Sequence, residues 1–162
     1  MNILLKQIAT IKSPFDNLEN MPVQPRGAKD IVATIEFKKE FQDGLKDLDG
    51  FSHVYLIYYF HKVKEHKLQV VPFNDNTNTK RGVFSTRTPM HPNSIGLSIV
   101  ELVSVKDNIV TIKGIDILDG TPLIDIKPYI DNFDKIEGDV KSGWMKSTSQ
   151  EVSQKRSDDR FI

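Results

Sequence analysis

The sequence contains no cysteine, which removes disulfides, thiolate zinc sites, iron–sulfur clusters and a thiol nucleophile together. That absence suits a reducing compartment, and a cytoplasmic location is expected. An excess of either charge is also lacking: Lys plus Arg and Asp plus Glu stand at 22 each. The whole-molecule field therefore does not attract nucleic acid, and any RNA contact must come from a local basic patch. No long apolar run occurs. The opening MNILLKQIATIKS is broken by Lys6 and Lys12, falls short of the ~18 apolar residues of a spanning helix and lacks a small-residue cleavage site. Neither a membrane span nor an export signal is expected. The glycines fall singly, leaving no GxGxxG and no Walker loop, which argues against a Rossmann-type nucleotide site. The histidines form no ligand pattern: His53 and His61 share a strand face but stand about 26 Å apart at ~3.3 Å per residue, so no metal site is expected. Gly96-Leu97-Ser98-Ile99-Val100 lacks the second glycine of a nucleophile elbow, which rejects Ser98 in that role.

What is present is the composition of one soluble domain. At 162 residues, with 38% apolar and 27% charged content, a chain can bury roughly 70% of its unfolded surface and needs no covalent staple. Strand periodicity dominates. Ile31 to Lys38 alternates with Ile31, Ala33, Ile35 and Phe37 on one face. Phe51 to Lys62 puts Val54, Leu56, Tyr58 and Phe60 on one side and the aromatic set His53, Tyr55, Tyr59 and His61 on the other. Between them Phe41, Leu45 and Leu48 keep helix-like spacing before Gly50, which predicts one short helix or turn. Further strands are expected over Ile3 to Ile11, Leu68 to Phe73, Gly82 to Arg87, Gly96 to Val105 and Ile109 to Leu118, the last two forming a hairpin that turns near Asp107-Asn108. Six or seven strands with one short helix predict a mainly β fold: a small barrel or strongly curved sheet with long loops.

Three loops, NLENMPVQPRGAKD, NDNTNTKRG and TRTPMHPNS, are rich in Pro, Gly, Asn or Thr, and long loops beside a rigid sheet often carry function. Residues 146–162 form an almost wholly polar tail for which weak order is expected. Asp116, Asp119 and Asp125 cluster near a strand end and suit either acid–base chemistry or turn formation. In VFSTRTP the alternation puts Val83, Ser85 and Arg87 on one strand face. The guanidinium of Arg87 suits a carboxylate or phosphate as well as a structural ion pair. Pro25, Arg26 and Gly27 make a basic point in a stiff frame, or a plain surface loop.

Taken in order, PFDNLENMPVQPRGA, LDGFSHVYLIYYFHK, RGVFSTRTPMHPNSIGLS and DILDGTPLIDIKPY closely resemble the TrmO (TsaA-like) family of S-adenosylmethionine-dependent tRNA methyltransferases, over about Ser13 to Tyr129. The resemblance implies a β-barrel methyltransferase domain over residues 1–145, a homodimer, and methylation of the exocyclic nitrogen of threonylcarbamoyl-adenosine beside the tRNA anticodon. It implies a cofactor pocket of Pro25, Arg26, Gly27, His61, Lys62, Arg87, Leu97, Lys113, Gly114, Ile115 and Asp116. Catalytic candidates in the most family-like segments are Arg87, Asp119 and Lys127, with Asp119 as proton acceptor and Arg87 or Lys127 stabilising developing negative charge. Tyr55, Tyr59 and Trp144 are candidates to stack on bases or to pack in the core. Lys62, Lys64, Lys80 and Arg81 are candidates for phosphates, and Arg26, Lys62, Lys80, Arg81 or Lys127 for the threonylcarbamoyl carboxylate. The chain departs from the family at Met90-His91, where many relatives carry an arginine in a P-x-R-P-N run.

Overall fold

A computed structural model of the chain describes residues 1–17, 21, 28–73, 75, 77–145, 151 and 154. The alternating segments become β1 (Ala9–Lys12), β2 (Val32–Phe37), β3 (His53–Tyr59), β6 (Ile95–Lys106), β7 (Ile109–Lys113) and β8 (Thr121–Pro128). These six close into an antiparallel barrel in the order β1-β2-β7-β6-β3-β8, and β8 pairs back onto β1. The strands β4 (Gln69–Val70) and β5 (Arg81–Gly82) form a separate two-stranded ribbon within the long connection from β3 to β6. Mainly β architecture with a barrel core is thus as expected.

Period-two alternation decides which side chains fill the barrel. Ala33, Ile35 and Phe37 of β2, Val54, Leu56 and Tyr58 of β3, and Val110 and Ile112 of β7 all point inward and are buried. Large groups meet small ones across the strands: Ala9 pairs with Phe37 and Tyr58 with Gly96. Such alternation lets a narrow barrel interior fill without overlap. Register shifts leave Val103 of β6 and Ile124 of β8 as extra residues, and bulges of this kind add the local bend that closure requires.

The two ends of the barrel differ. At one end β6 and β7 join through Asp107 and Asn108, as expected. Asp107 takes φ 53°, and the Asn108 amide donates to the Phe37 carbonyl at 2.7 Å. The expected short helix is here too, but as two 3₁₀ segments, Lys39–Leu45 and Leu48–Gly50, whose Leu45 and Leu48 plug the barrel. Asp47 at φ 65° separates them, and Asp43 and Gly44 are weak helix formers, so no longer α-helix forms. A short α-helical turn follows the barrel at Asp131–Asp134. At the opposite end emerge the three long connections, residues 13–31, 60–94 and 114–120.

Several expected strands are shorter or shifted. Ile3 to Ile11 reduces to Ala9–Lys12 and Leu68 to Phe73 to Gln69–Val70. Gly82 to Arg87 is corrected more deeply: after β5 the chain enters a 3₁₀ turn, Val83–Ser85. The Ser85 hydroxyl donates to the Gly82 carbonyl and the Thr86 hydroxyl to that of Val83, local bonds that compete with a ladder. The alternation of Val83, Ser85 and Arg87 across a strand is therefore lost. Strand β7 stops at Lys113 because Gly114 turns the chain at φ 83°. Strand β8 was not among the expected strands, and it carries two prolines, Pro122 and Pro128, residues that cannot donate to a ladder. Pro128 stands at the end of the pairing with β3, which runs from Leu123 to Pro128, and Pro122 lies outside that pairing, opposite Thr10 of β1.

Gly96 lies under the ring of Tyr58, and a Cβ there would overlap that ring. Gly96→Ala is expected to destabilise the fold by about 1–3 kcal/mol through overpacking, measured by urea unfolding. In a Tyr58→Leu background the penalty should shrink to a few tenths of that; an equal penalty in both backgrounds would show that the ring is not the obstacle.

Candidate functional site

The three long connections bring residues from distant parts of the chain to one barrel end. His61 and Lys62 follow β3, Arg87 lies between β5 and β6, and Gly114 to Asp116 follow β7. The loop after β1 is clipped to the loop before β8. The Ser13 amide donates to Asp119 Oδ1 at 3.0 Å, the Ser13 hydroxyl to the Ile117 carbonyl at 2.6 Å, and the Asp119 amide to the Phe15 carbonyl at 2.7 Å.

Inside this mouth runs a chain of polar side chains. Tyr58 and Ser98 both face inward, with their hydroxyls 3.1 Å apart, and Ser98 Oγ lies 3.5 Å from Asp116 Oδ1. Asp116 keeps a partly open edge, yet burial of its carboxyl raises its pKa to about 7. Burial, and secondarily the Asp116 charge, pushes Tyr58 well above the usual phenol range, so its hydroxyl stays protonated. Arg87 is exposed and its charge reaches Tyr58; among the described residues no hydrogen bond or ion pair engages its guanidinium. His61 is held below the usual imidazole range by burial and by Lys62, which favours the neutral ring, and its Nδ1 lies 3.5 Å from Thr121 Oγ1.

The remaining sequence candidates are placed as follows. Pro25, Arg26 and Gly27 lie outside the described residues. Ile115 is buried in the core. Lys113 Nζ lies 3.4 Å from Asp30. Leu97 is 52% exposed on the outer barrel face, paired with Ile57. Lys127 is not brought to the same end: it pairs with Tyr55, about 20 Å along β8 from Thr121, and its ammonium contacts Asp125 at 2.9 Å. Arg81 is engaged twice, by Asp75 at 2.7 Å and over the Trp144 ring at 5.4 Å. Its hydrogen bond is the main reason the Asp75 carboxyl is lowered to about 2. The Trp144 indole N–H donates to the Ser85 carbonyl at 2.8 Å. A depression of about 470 Å³ at the opposite end, lined by Gln42, Leu45 and Asp107 among others, gathers no candidate residue.

Tyr58 and Ser98 as a polar pair were missed by sequence reasoning. The signal was available: both fall on inward positions of long alternating runs, and a buried hydroxyl needs a partner. What periodicity did not supply is that β3 and β6 are neighbours, with Tyr58 opposite Gly96 and Leu56 opposite Ser98.

The fold and site define a class: a small closed antiparallel barrel with a loop-built polar mouth at one end and no nucleotide-binding glycine loop. A family model described as the tRNA-methyltransferase O N-terminal domain matches residues 10–135, and the chain belongs to that family. A probable S-adenosyl-L-methionine-binding protein of Pyrococcus abyssi is 46% identical over 160 residues, covering 99% of this chain and 85% of the relative. The mouse tRNA (adenine(37)-N6)-methyltransferase is 37% identical over 139 residues, covering 82% of this chain and 32% of its own length. The crystal structure of TrmO from Pseudomonas aeruginosa is similar at a TM-score of 0.73 and 33% identity, over 88% of this chain and 62% of that one. The chain thus spans about a third of the mouse relative and under two thirds of the solved bacterial chain.

Asp116 makes a pH prediction. Its folded pKa, about 7, exceeds the unfolded carboxylate value near ~3.9. Between those values the folded state holds the extra proton, so stability falls as pH rises through the window and the loss is complete above about 7. Asp116→Asn removes this titration. The unfolding free energy of the variant minus that of the wild type should rise between pH 5 and pH 8 by on the order of 1–3 kcal/mol. A difference that stays flat would mean that Asp116 titrates as an ordinary carboxylate.

Proposed function

We propose that this chain is an S-adenosylmethionine-dependent methyltransferase whose acceptor is the exocyclic nitrogen of threonylcarbamoyl-adenosine beside the tRNA anticodon. The observation that carries the reading is the convergence at one barrel end of Arg87, His61, Lys62 and Gly114 to Asp116, which come from two separate connections. The residues fit the cofactor's chemistry. The unengaged guanidinium of Arg87 suits its carboxylate, and exposed Leu97 offers apolar surface. Bound there, S-adenosylmethionine supplies an activated methyl group for in-line displacement.

The chain's own residues have three tasks in this reading. They hold the acceptor nitrogen in line, keep water out, and take up the proton that nitrogen loses. For the last, Asp116 is better suited than Asp119. A carboxylate with a pKa of about 7 is a base poised near neutral pH, whereas Asp119 is bonded to the Ser13 amide and ties two loops together. The threonylcarbamoyl carboxylate needs a cation. Among the described candidates Arg81 and Lys127 are engaged by Asp75 and Asp125, which leaves Lys62 and Lys80.

The expected homodimer has a physical motive in the outer face of β3 and β6. There Ile57 pairs with Leu97 and Tyr55 with Ile99, and Leu97 and Ile99 are 52% and 43% exposed. A contiguous apolar sheet face of this kind favours self-association. A second reading, a domain that holds the cofactor without transferring methyl, is favoured by the name of the Pyrococcus relative.

Labelled methyl transfer to tRNA prepared with and without threonylcarbamoyl tests the main reading. Transfer should strongly prefer the modified tRNA, on the order of 10⁴-fold, because the site would otherwise leave its cation unpaired. Equal rates would overturn the carboxylate clamp, and cofactor binding without transfer to either tRNA would favour the second reading. Arg87→Ala should weaken cofactor binding by about 1.5–3 kcal/mol in calorimetry with chelator present. Light scattering at micromolar concentration should give a dimer mass that Ile99→Lys shifts to a monomer; a wild-type monomer would refute dimerisation.

A further inference from the structure

One aromatic group at the mouth belongs to none of these assignments. Phe84 is 75% exposed, an unfavourable setting for a ring that gains by burial. Its backbone, by contrast, is held firmly. It is the middle residue of the 3₁₀ turn Val83–Ser85. Val83, on one side, is buried in a small core with Val70 and Met90. The other side is pinned by the Thr86 amide and hydroxyl, both donating to the Val83 carbonyl. The sequence therefore spends a rigid pedestal on presenting an aromatic ring to solvent.

The ring does not stand alone. His91 packs edge-on against it, with centroids 5.8 Å apart and planes at 70°, and His91 Nε2 lies 3.1 Å from the Thr86 carbonyl, which fixes the imidazole. His91-Pro92-Asn93-Ser94 is a tight turn: the Ser94 amide donates back to the His91 carbonyl at 2.9 Å and Ser94 takes φ 48°. Phe84, His91, Pro92, Asn93 and Ile95 line a depression of about 320 Å³. Its lining is aromatic and apolar except for Asn93, whose side-chain amide is able to donate and accept together. None of its lining residues is acidic, and Arg87 follows Phe84 by three positions.

We propose that this depression is a stacking site for one unstacked base of a single-stranded RNA loop, with Phe84 as the platform and Asn93 reading the base edge. The proposal rests on the tRNA reading above. A planar, rigid and exposed aromatic ring is what single-stranded nucleic acid recognition uses, because every base has a π-face. Of the aromatics first considered, Tyr59 is less exposed than Phe84, at 41% against 75%, Tyr55 is only partly exposed, and Trp144 is bound to Ser85 and Arg81. In this chain His91 keeps a planar group against the platform.

The test uses the full chain and a synthetic tRNA anticodon stem-loop carrying 2-aminopurine in the loop, at one fixed salt concentration. Wild-type protein should quench the fluorophore as its base stacks. Phe84→Ala should abolish the quench and weaken stem-loop binding about tenfold while leaving S-adenosylmethionine affinity within twofold. Phe84→Trp should restore both RNA signals. Because Phe84 lies outside the core, thermal unfolding of both variants should match the wild type. Loss of cofactor affinity with RNA binding unchanged would overturn the proposal and assign the depression to the cofactor's adenine. Full quenching by Phe84→Ala would overturn it as well. Failure of the wild type to bind any tRNA stem-loop would overturn the tRNA reading itself, and the platform with it.

Discussion

Pairing of the first strand with the last, Ala9 to Ile11 against Thr121 to Leu123, is the constraint on which the rest of this molecule depends. It closes the sheet, so no barrel strand keeps an open edge, and it makes the interior a fixed volume. Every inward position must then be filled by a side chain that fits its neighbours. Ala9 opposite Phe37 and Gly96 opposite Tyr58 are local solutions to that one requirement. Closure with alternating strand directions also sorts the connections: the tight β6–β7 turn and the 3₁₀ plug occupy one end, and the three long loops the other.

That sorting gives the mouth its electrostatics. The chain as a whole is neutral, so a charged site has to be made by unequal solvation. Asp116 reaches into protein where its charge is poorly hydrated, and its proton is retained to about pH 7. Arg87 stays in water and keeps its charge available. The Tyr58 and Ser98 hydroxyls link the aspartate to the barrel interior, so a group that meets Asp116 also meets a hydrogen-bonded network whose geometry the strands hold. Asp119 has a different part: by accepting the Ser13 amide it binds the loop after β1 to the loop before β8.

Much of the barrel was legible because period-two alternation is a local property. The inward faces of β2 and β3 could be read directly, and the Asp107-Asn108 turn follows from the hairpin around it. Reading failed where local rules compete. In VFSTRTP, alternation suggested a strand, but the Ser85 and Thr86 hydroxyls satisfied nearby carbonyls and a 3₁₀ turn resulted. TPLIDIKP shows no such alternation and was not expected as a strand, yet it pairs with β1 on one side and β3 on the other.

The residues expected at the site divide in the same way. Composition and motif order determined the family resemblance, the absence of thiol and glycine-loop chemistry, and the segments that carry His61, Arg87 and Asp116. Which of those segments meet was decided by strand order alone. It set Asp116 beside Ser98 and Tyr58, moved Lys127 about 20 Å down β8, and turned Phe84 outward on a rigid turn. Periodicity is written in neighbouring residues, whereas the meeting of residues 58, 98 and 116 depends on barrel closure, a property of the whole chain.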